Sequence, residues 1–134
     1  MKKKKTVRIG NAGGYWGDDP GALERQVTKG QLDYISLDFL AEVTMSILQK
    51  QKAVNPSWGY AKDIVGMVRP VLKTMLDKKI KLITNAGGIN PKSCARALMD
   101  MALKEGLQPK IAVVYGDDIL SQVGVLSEKG EEFL

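Results

Sequence analysis

Short apolar runs alternate along the chain with longer segments in which apolar residues recur every three or four positions. The runs lie at residues 6–10, 32–37, 80–84 and 111–115. Short apolar runs are typical of buried strands, and the wider spacing is typical of helices. Strands that alternate with helices form right-handed crossovers in a parallel sheet. The pattern predicts an α/β fold, a three-layer Rossmann-like domain with at least four mainly parallel strands.

Residues that start, stop or interrupt helices refine this prediction. Asp19 and Pro20 open a helix over 22–29 that Gly30 ends, and a later helix is predicted over 92–105. The segment after Asp38 is a helix whose apolar side carries Leu40, Val43, Ile47 and Leu48. The most regular stripe is expected in the core and comprises Ile64, Met67, Val68, Val71, Leu72, Met75 and Leu76. Because Pro70 lies within it and cannot donate a hydrogen bond, we expect a kink there rather than a break.

The tetrapeptide Asn-Ala-Gly-Gly occurs twice, at residues 11–14 and 85–88, each time directly after a predicted strand. In a parallel sheet such turns gather at the carboxyl ends of the strands, where open α/β folds bind ligands. Paired glycines also let a ligand approach the backbone closely. We therefore expect both turns to face one cavity, with these ligand-binding residues: Asn11, Gly13, Gly14, Asn85, Gly87 and Gly88.

The chemistry of these turns has two interpretations. Their backbone N–H groups and the helices that follow can hold a phosphate or a carboxylate. Alternatively, the glycines only permit tight turns, and Asn11 and Asn85 form local hydrogen bonds. Two copies at matching strand ends favour a shared site. Neither copy fits the dinucleotide fingerprint or the P-loop, which argues against nucleotide binding by those motifs.

Aspartates also follow the predicted strand ends, namely Asp18, Asp19, Asp38, Asp117 and Asp118. Carboxylates crowded at one sheet edge either share protons with raised pKa values or bind a hard cation such as magnesium or calcium. The candidate catalytic residues are therefore Asp18, Asp38 and Asp117, and the candidate metal ligands are Asp18, Asp117 and Asp118. In the alternative interpretation Asp19 caps a helix and the others belong to turns.

The composition is that of a single globular domain, because 44% of the 134 residues are hydrophobic and 26% are charged. A cytoplasmic protein is expected, because no apolar segment of signal-peptide type follows Lys2 to Lys5. We expect a basic tail at 1–5, one domain at 6–125, and a frayed or partner-contacting tail at 126–134. No apolar stretch approaches the ~20 residues of a membrane helix. Of the net charge of +5, Lys2 to Lys5 supply four, so the nearly neutral body argues against nucleic-acid binding.

A few side chains leave open alternatives. The chain has no histidine and one cysteine, which excludes an internal disulfide and removes the usual zinc ligands. Cys94 lies at a predicted helix start, where a thiolate is stabilised, although a lone cysteine is more often a packing residue. Four aromatic residues wall a pocket, cover the sheet edge or contact another subunit: Tyr15, Trp16, Trp58 and Tyr60.

Three stretches, at 8–20, 37–48 and 83–91, together resemble the amino-terminal region of the acyclic terpene utilisation A family, and the similarity spans residues 6–118. The resemblance implies a substrate-binding module or subunit of a bacterial catabolic enzyme acting on acyclic terpenoid or branched acyl thioesters. It implies a small acidic or thioester ligand and a coenzyme A thioester as a candidate cofactor, beside the divalent cation that the clustered aspartates suggest.

Family members are longer, so we expect this chain to correspond to their first portion. The expected partner is a second copy or a second chain that supplies the rest of the family's domain. The alternative is a non-catalytic assembly subunit or truncated domain without independent activity, in which the four aromatics form a protein interface.

Overall fold

The computed structural model describes residues 6–130; the basic tail predicted at 1–5 and the last four residues of the tail predicted at 126–134 lie outside them. Three strands form a parallel sheet in the order β1 (Ile9–Asn11), β2 (Tyr34–Leu37) and β3 (Lys81–Thr84). The helices are α1 (Ala22–Lys29), α2 (Glu42–Val54), α3 (Asp63–Val68), α4 (Leu72–Lys78), α5 (Pro91–Lys104) and α6 (Val123–Glu128), with a 3-10 turn at Leu120–Gln122. The α/β class is confirmed.

The two faces of the sheet differ in burial. The register pairs Gly10 with Ile35 and Ile35 with Leu82, and Ile35 is fully buried. On the opposite face, where alternate residues point, Ile9 is 70% exposed and Ile83 is 60% exposed. The described residues therefore form two layers, and the third layer of the prediction is not confirmed.

The core lies between the buried sheet face and the helices. One cluster of buried residues takes Leu23 and Val27 from α1, Ile64 and Val68 from α3, and further members from β2, α4 and α5. Right-handed crossovers that all advance in one direction place their helices on one side of the sheet. This explains why a single cluster suffices and why the other face is open.

The predicted fourth strand does not form. Residues 111–115 belong to no strand of the described sheet, and Val114 is 93% exposed. The apolar pattern there indicates a segment suited to burial, but it does not say which neighbour would cover it. A sheet of four or more strands is not confirmed.

The capping residues in the sequence predict where helices begin and end better than the apolar pattern predicts how they pack. The first helix has the predicted bounds, and α5 begins at Pro91, with the side chain of Asn90 accepting a hydrogen bond from Ser93 N at 3.3 Å. Pro70 breaks the long helix into α3 and α4, so the predicted kink is wrong. The stripe lies in or against the core as expected, except for Leu76, which is 39% exposed. The predicted apolar side of α2 is largely exposed, with only Leu48 buried.

Within residues 6–130 no helix combines the length and apolar character that crossing a membrane requires.

Candidate functional site

A cavity of about 230 Å³ opens where the first glycine turn meets the end of β2 and the start of α3. Its walls are mainly apolar, with three carboxylates among them. The residues that line it are Ala12, Gly13, Tyr15, Gly17, Asp18, Pro20, Leu37, Asp38, Phe39, Asp63 and Met67. This is the candidate site, and it lies at the carboxyl ends of β1 and β2.

The first glycine turn is held by hydrogen bonds from both of its ends. Asn11 Oδ1 accepts from Ser36 Oγ at 3.1 Å and from Gly13 N at 3.4 Å. Asp18 Oδ2 accepts from Gly14 N at 2.9 Å. Asn11 thus fixes the turn to β2, and Asp18 closes it. The N–H of Gly14 already donates to a carboxylate, which argues against the anion-binding interpretation of this turn.

The second turn acts on the site through Asn85. Its side-chain nitrogen donates to Asp38 Oδ1 at 2.6 Å, and its side-chain oxygen accepts from Phe39 N at 2.8 Å. Asp38 N in turn donates to Gly13 O at 3.1 Å. The two turns therefore lie at one edge of the sheet and are joined through the residues that follow β2.

Gly87 and Gly88 do not line the cavity. A Cβ on Gly87 would lie 2.8 Å from Pro91 Cβ. A Cβ on Gly88 would collide with Leu48 and lie 2.9 Å from Gly59 O, and the φ of Gly88 is +51°. Packing and backbone conformation account for this glycine pair, so the expectation that both pairs face one cavity is wrong.

Two of the carboxylates at the site, Asp18 and Asp38, are stabilised in their charged form. Hydrogen bonds from the backbone N–H groups of Gly14 and Asp19 lower the pKa of Asp18. The Asn85 side chain, followed by the Leu40 N–H, lowers the pKa of Asp38. The proton sharing with raised pKa values that crowding suggested is therefore wrong for these two residues. At neutral pH both are bases rather than proton donors.

Asp19 lies beside the cavity wall and orders the start of α1. Its side chain pairs with Arg25 and accepts from Gly21 N at 2.8 Å. The Arg25 hydrogen bond is the main cause that lowers the pKa of Asp19. Asp19 therefore does not cap α1 directly, and its side chain instead stabilises the turn just before the helix.

The other two aspartates of the prediction, Asp117 and Asp118, are exposed and do not line the cavity. Nearby, the ammonium of Lys92 lies 4.5 Å from the centroid of the Tyr115 ring. Across residues 6–130 there is no group of three or more histidine, cysteine or acidic side chains that could hold a metal ion. The structure therefore gives the predicted cation site no ligand set.

Of the four aromatic residues, one lines the cavity and the others contact neighbouring parts of the fold. Tyr15 lines the cavity and is 62% exposed, whereas Trp16 packs against the core and donates its indole N–H to Asp63 Oδ2 at 2.7 Å. Trp58 lies under the ammonium of Lys62, at 3.5 Å from the ring centroid, and Tyr60 is half-buried against the core. The four do not form one exposed patch.

Cys94 is a packing residue in this structure. It is 4% exposed, and burial raises the pKa of its thiol to about 11. A neutral thiol is a poor nucleophile.

Several cavity residues carry no local signal in the sequence. Asp63 and Met67 come from α3 and Phe39 follows β2, and only the fold brings them to the first glycine turn. Asp63 opens α3 and by position is an ordinary first-turn acid. Its link to Trp16 spans 47 residues and is visible only in three dimensions.

A protein-family model described as acyclic terpene utilisation family protein AtuA matches residues 7–134. Neither the curated proteins nor the solved structures contain a match to the chain. Every residue that lines the cavity falls within the stretch that the family model covers.

Proposed function

Since the chain belongs to the acyclic terpene utilisation family AtuA, we propose that it is a substrate-binding module of a catabolic enzyme acting on acyclic terpenoid or branched acyl thioesters. The observation that carries the proposal is the cavity between the first glycine turn and α3. It takes the hydrocarbon end of the substrate.

The walls suit a branched hydrocarbon. Apolar surface comes from three segments: Leu37 and Phe39 at the end of β2, Met67 in α3, and Pro20 before α1. Each methylene that leaves water for such a surface contributes about 0.8 kcal/mol. Pockets that enclose a whole drug-sized ligand usually measure about 300–1,000 Å³. A cavity of about 230 Å³ is therefore suited to one end of a larger molecule.

The polar groups suit binding better than proton donation. Asp18 and Asp38 are already engaged by N–H donors and carry lowered pKa values. Their role in the proposal is to hold the two turns and to shape the cavity mouth. The uncharged thioester lies at the mouth beside these carboxylates, and the coenzyme A portion, whose phosphates are anionic, extends outward into solvent.

Calorimetry with the N-acetylcysteamine thioester of geranic acid tests this function, because the compound joins an acyclic terpenoid chain to a short, uncharged thioester. Tyr15→Ala removes an exposed part of the cavity wall, so we expect its affinity to fall about tenfold, as when roughly 1.4 kcal/mol of contact is lost. Tyr115→Ala is the matched control, since Tyr115 is 66% exposed and lies outside the cavity. Equal binding by both variants, or no binding by the wild type, would refute the proposal.

A second candidate, an assembly subunit, is favoured by the open sheet face. Parallel sheets are almost always covered on both faces, and here Ile9 and Ile83 are largely exposed. The partner in this candidate is a second copy of the chain that covers the open face. The two candidates are compatible, because the cavity lies at the carboxyl edge of the sheet rather than on its open face.

A further inference from the structure

All charged residues on the cavity wall are acidic. Asp18, Asp38 and Asp63 line it, and no lysine or arginine among residues 6–130 does. Each carboxylate is held by neutral donors, namely backbone N–H groups, the Asn85 amide and the Trp16 indole. The ion pairs of the described chain involve other acids: Asp33, Asp19, Glu105 and Asp77. The negative charge of the wall is therefore not neutralised by a paired cation.

This charge distribution discriminates between ligands of the same shape. A free carboxylate or phosphate that enters the cavity meets three carboxylates, of which Asp38 and Asp63 are exposed. Like charges repel, and the repulsion grows where the ligand displaces water. An uncharged thioester or alcohol meets the same apolar walls without that penalty. We infer that the cavity selects an uncharged acyclic ligand and excludes the free acid, with Asp38 as the specificity-determining residue. The inference rests on the proposed function, and it chooses the thioester over the acidic ligand that the sequence also allowed.

Asp38 is suited to this role by its position and by its fixed orientation. Its Oδ1 accepts from the Asn85 amide at 2.6 Å and from Leu40 N at 3.2 Å. A carboxylate offers about four lone-pair sites, so further acceptor capacity remains for the hydroxyl of an alcohol. Asn85 is the positioning residue, because its side-chain oxygen also accepts a hydrogen bond from Phe39 N at 2.8 Å and so fixes the amide that contacts Asp38. The second Asn-Ala-Gly-Gly turn thus contributes to selectivity without touching the ligand.

The experiment compares geranic acid with its N-acetylcysteamine thioester at pH 7 and low salt, since the two share one hydrocarbon chain and differ in charge. We expect the wild type to bind the thioester at least about tenfold more tightly, within the range that Coulomb's law gives between water and a protein surface. Asp38→Asn keeps an oxygen acceptor for Asn85 and Leu40 while removing the charge. This variant should reduce the preference for the thioester over the acid to roughly threefold, mainly because it binds the acid more tightly.

Asp100→Asn is the matched control, because it makes the same change in net charge at an exposed position of α5 outside the cavity. It should leave the ratio unchanged. Equal affinity of the wild type for both compounds would overturn the inference while leaving the proposed function intact. If Asp38→Asn leaves the ratio of thioester affinity to acid affinity unchanged, Asp38 does not determine specificity. If neither compound binds, both the proposed function and the inference are refuted.

If Asp38→Asn does not fold, the salt dependence of the wild-type ratio carries the test. Salt screens repulsion between partly exposed charges, so the preference should narrow between about 50 mM and 500 mM salt. A preference that is independent of salt would overturn the electrostatic origin of the selectivity.

Discussion

The two Asn-Ala-Gly-Gly turns are identical in sequence and differ at each residue in what surrounds them. Asn11 stabilises its own turn against Ser36, whereas Asn85 reaches across to Asp38 and Phe39. Gly13 lines the cavity, and its counterpart Gly87 packs on Pro91. The repeated motif therefore has one copy that faces the cavity and one copy that supports it.

Alanine at the last glycine of each turn should separate these roles. Gly88→Ala places a Cβ against Leu48 and Gly59 O at a φ of +51°, so we expect a loss of at least about 2 kcal/mol in the free energy of unfolding. Gly14→Ala meets only Asp18 Oδ2, at 3.9 Å, and should change that free energy by less than about 0.5 kcal/mol. Urea titrations measure both. A cost for Gly14→Ala equal to that of Gly88→Ala would contradict the division of roles.

At the scale of elements, helix ends that depend on local residues could be predicted from the sequence. Helix breaks and strand pairing, which depend on neighbouring elements, could not. The bounds of α1 and the start of α5 follow from Gly30, Asn90 and Pro91. Pro70 was recognised, but whether a proline kinks or breaks a helix depends on the packing of the turns on either side. Residues 111–115 have strand-like composition, yet a strand requires a partner that composition cannot supply.

The site was predicted in part for the same reason. Strand ends locate Asp18 and Asp38, because parallel strands deliver their carboxyl ends to one edge. Asp63 and Met67 come from a helix whose position is set by tertiary packing. Asp117 follows a segment that does not join the sheet, so the argument that placed it at the site does not apply.

The open sheet face gives a prediction about assembly. If a second copy covers it, the wild type should form a dimer in light scattering, and Ile83→Lys should shift it to monomer by placing a charge on the buried contact. Leu103→Lys on α5 is the control, since Leu103 is 53% exposed and lies outside the sheet. A wild type that stays monomeric across a wide concentration range would rule out this homodimer.

At the scale of the whole molecule, the first glycine turn, the end of β2 and α3 converge on one small cavity, and the second turn supports it through the hydrogen bond from Asn85 to Asp38. The core cluster joins residues from β2, α1, α3, α4 and α5, so the elements that position the cavity are the same ones that bury the apolar surface. The family match spans both turns and all of the cavity. The central claim is that an acyclic hydrocarbon chain binds there.

Methyl NMR of the six methionines tests this claim most directly, with carbon-13 in each methyl group and the N-acetylcysteamine thioester of geranic acid as ligand. Met67 lines the cavity, whereas Met75 and Met101 are buried in the core. The account predicts that the Met67 signal moves on titration and saturates with the calorimetric affinity, while the Met75 and Met101 signals stay in place. A Met67 signal that stays in place at saturation would contradict it.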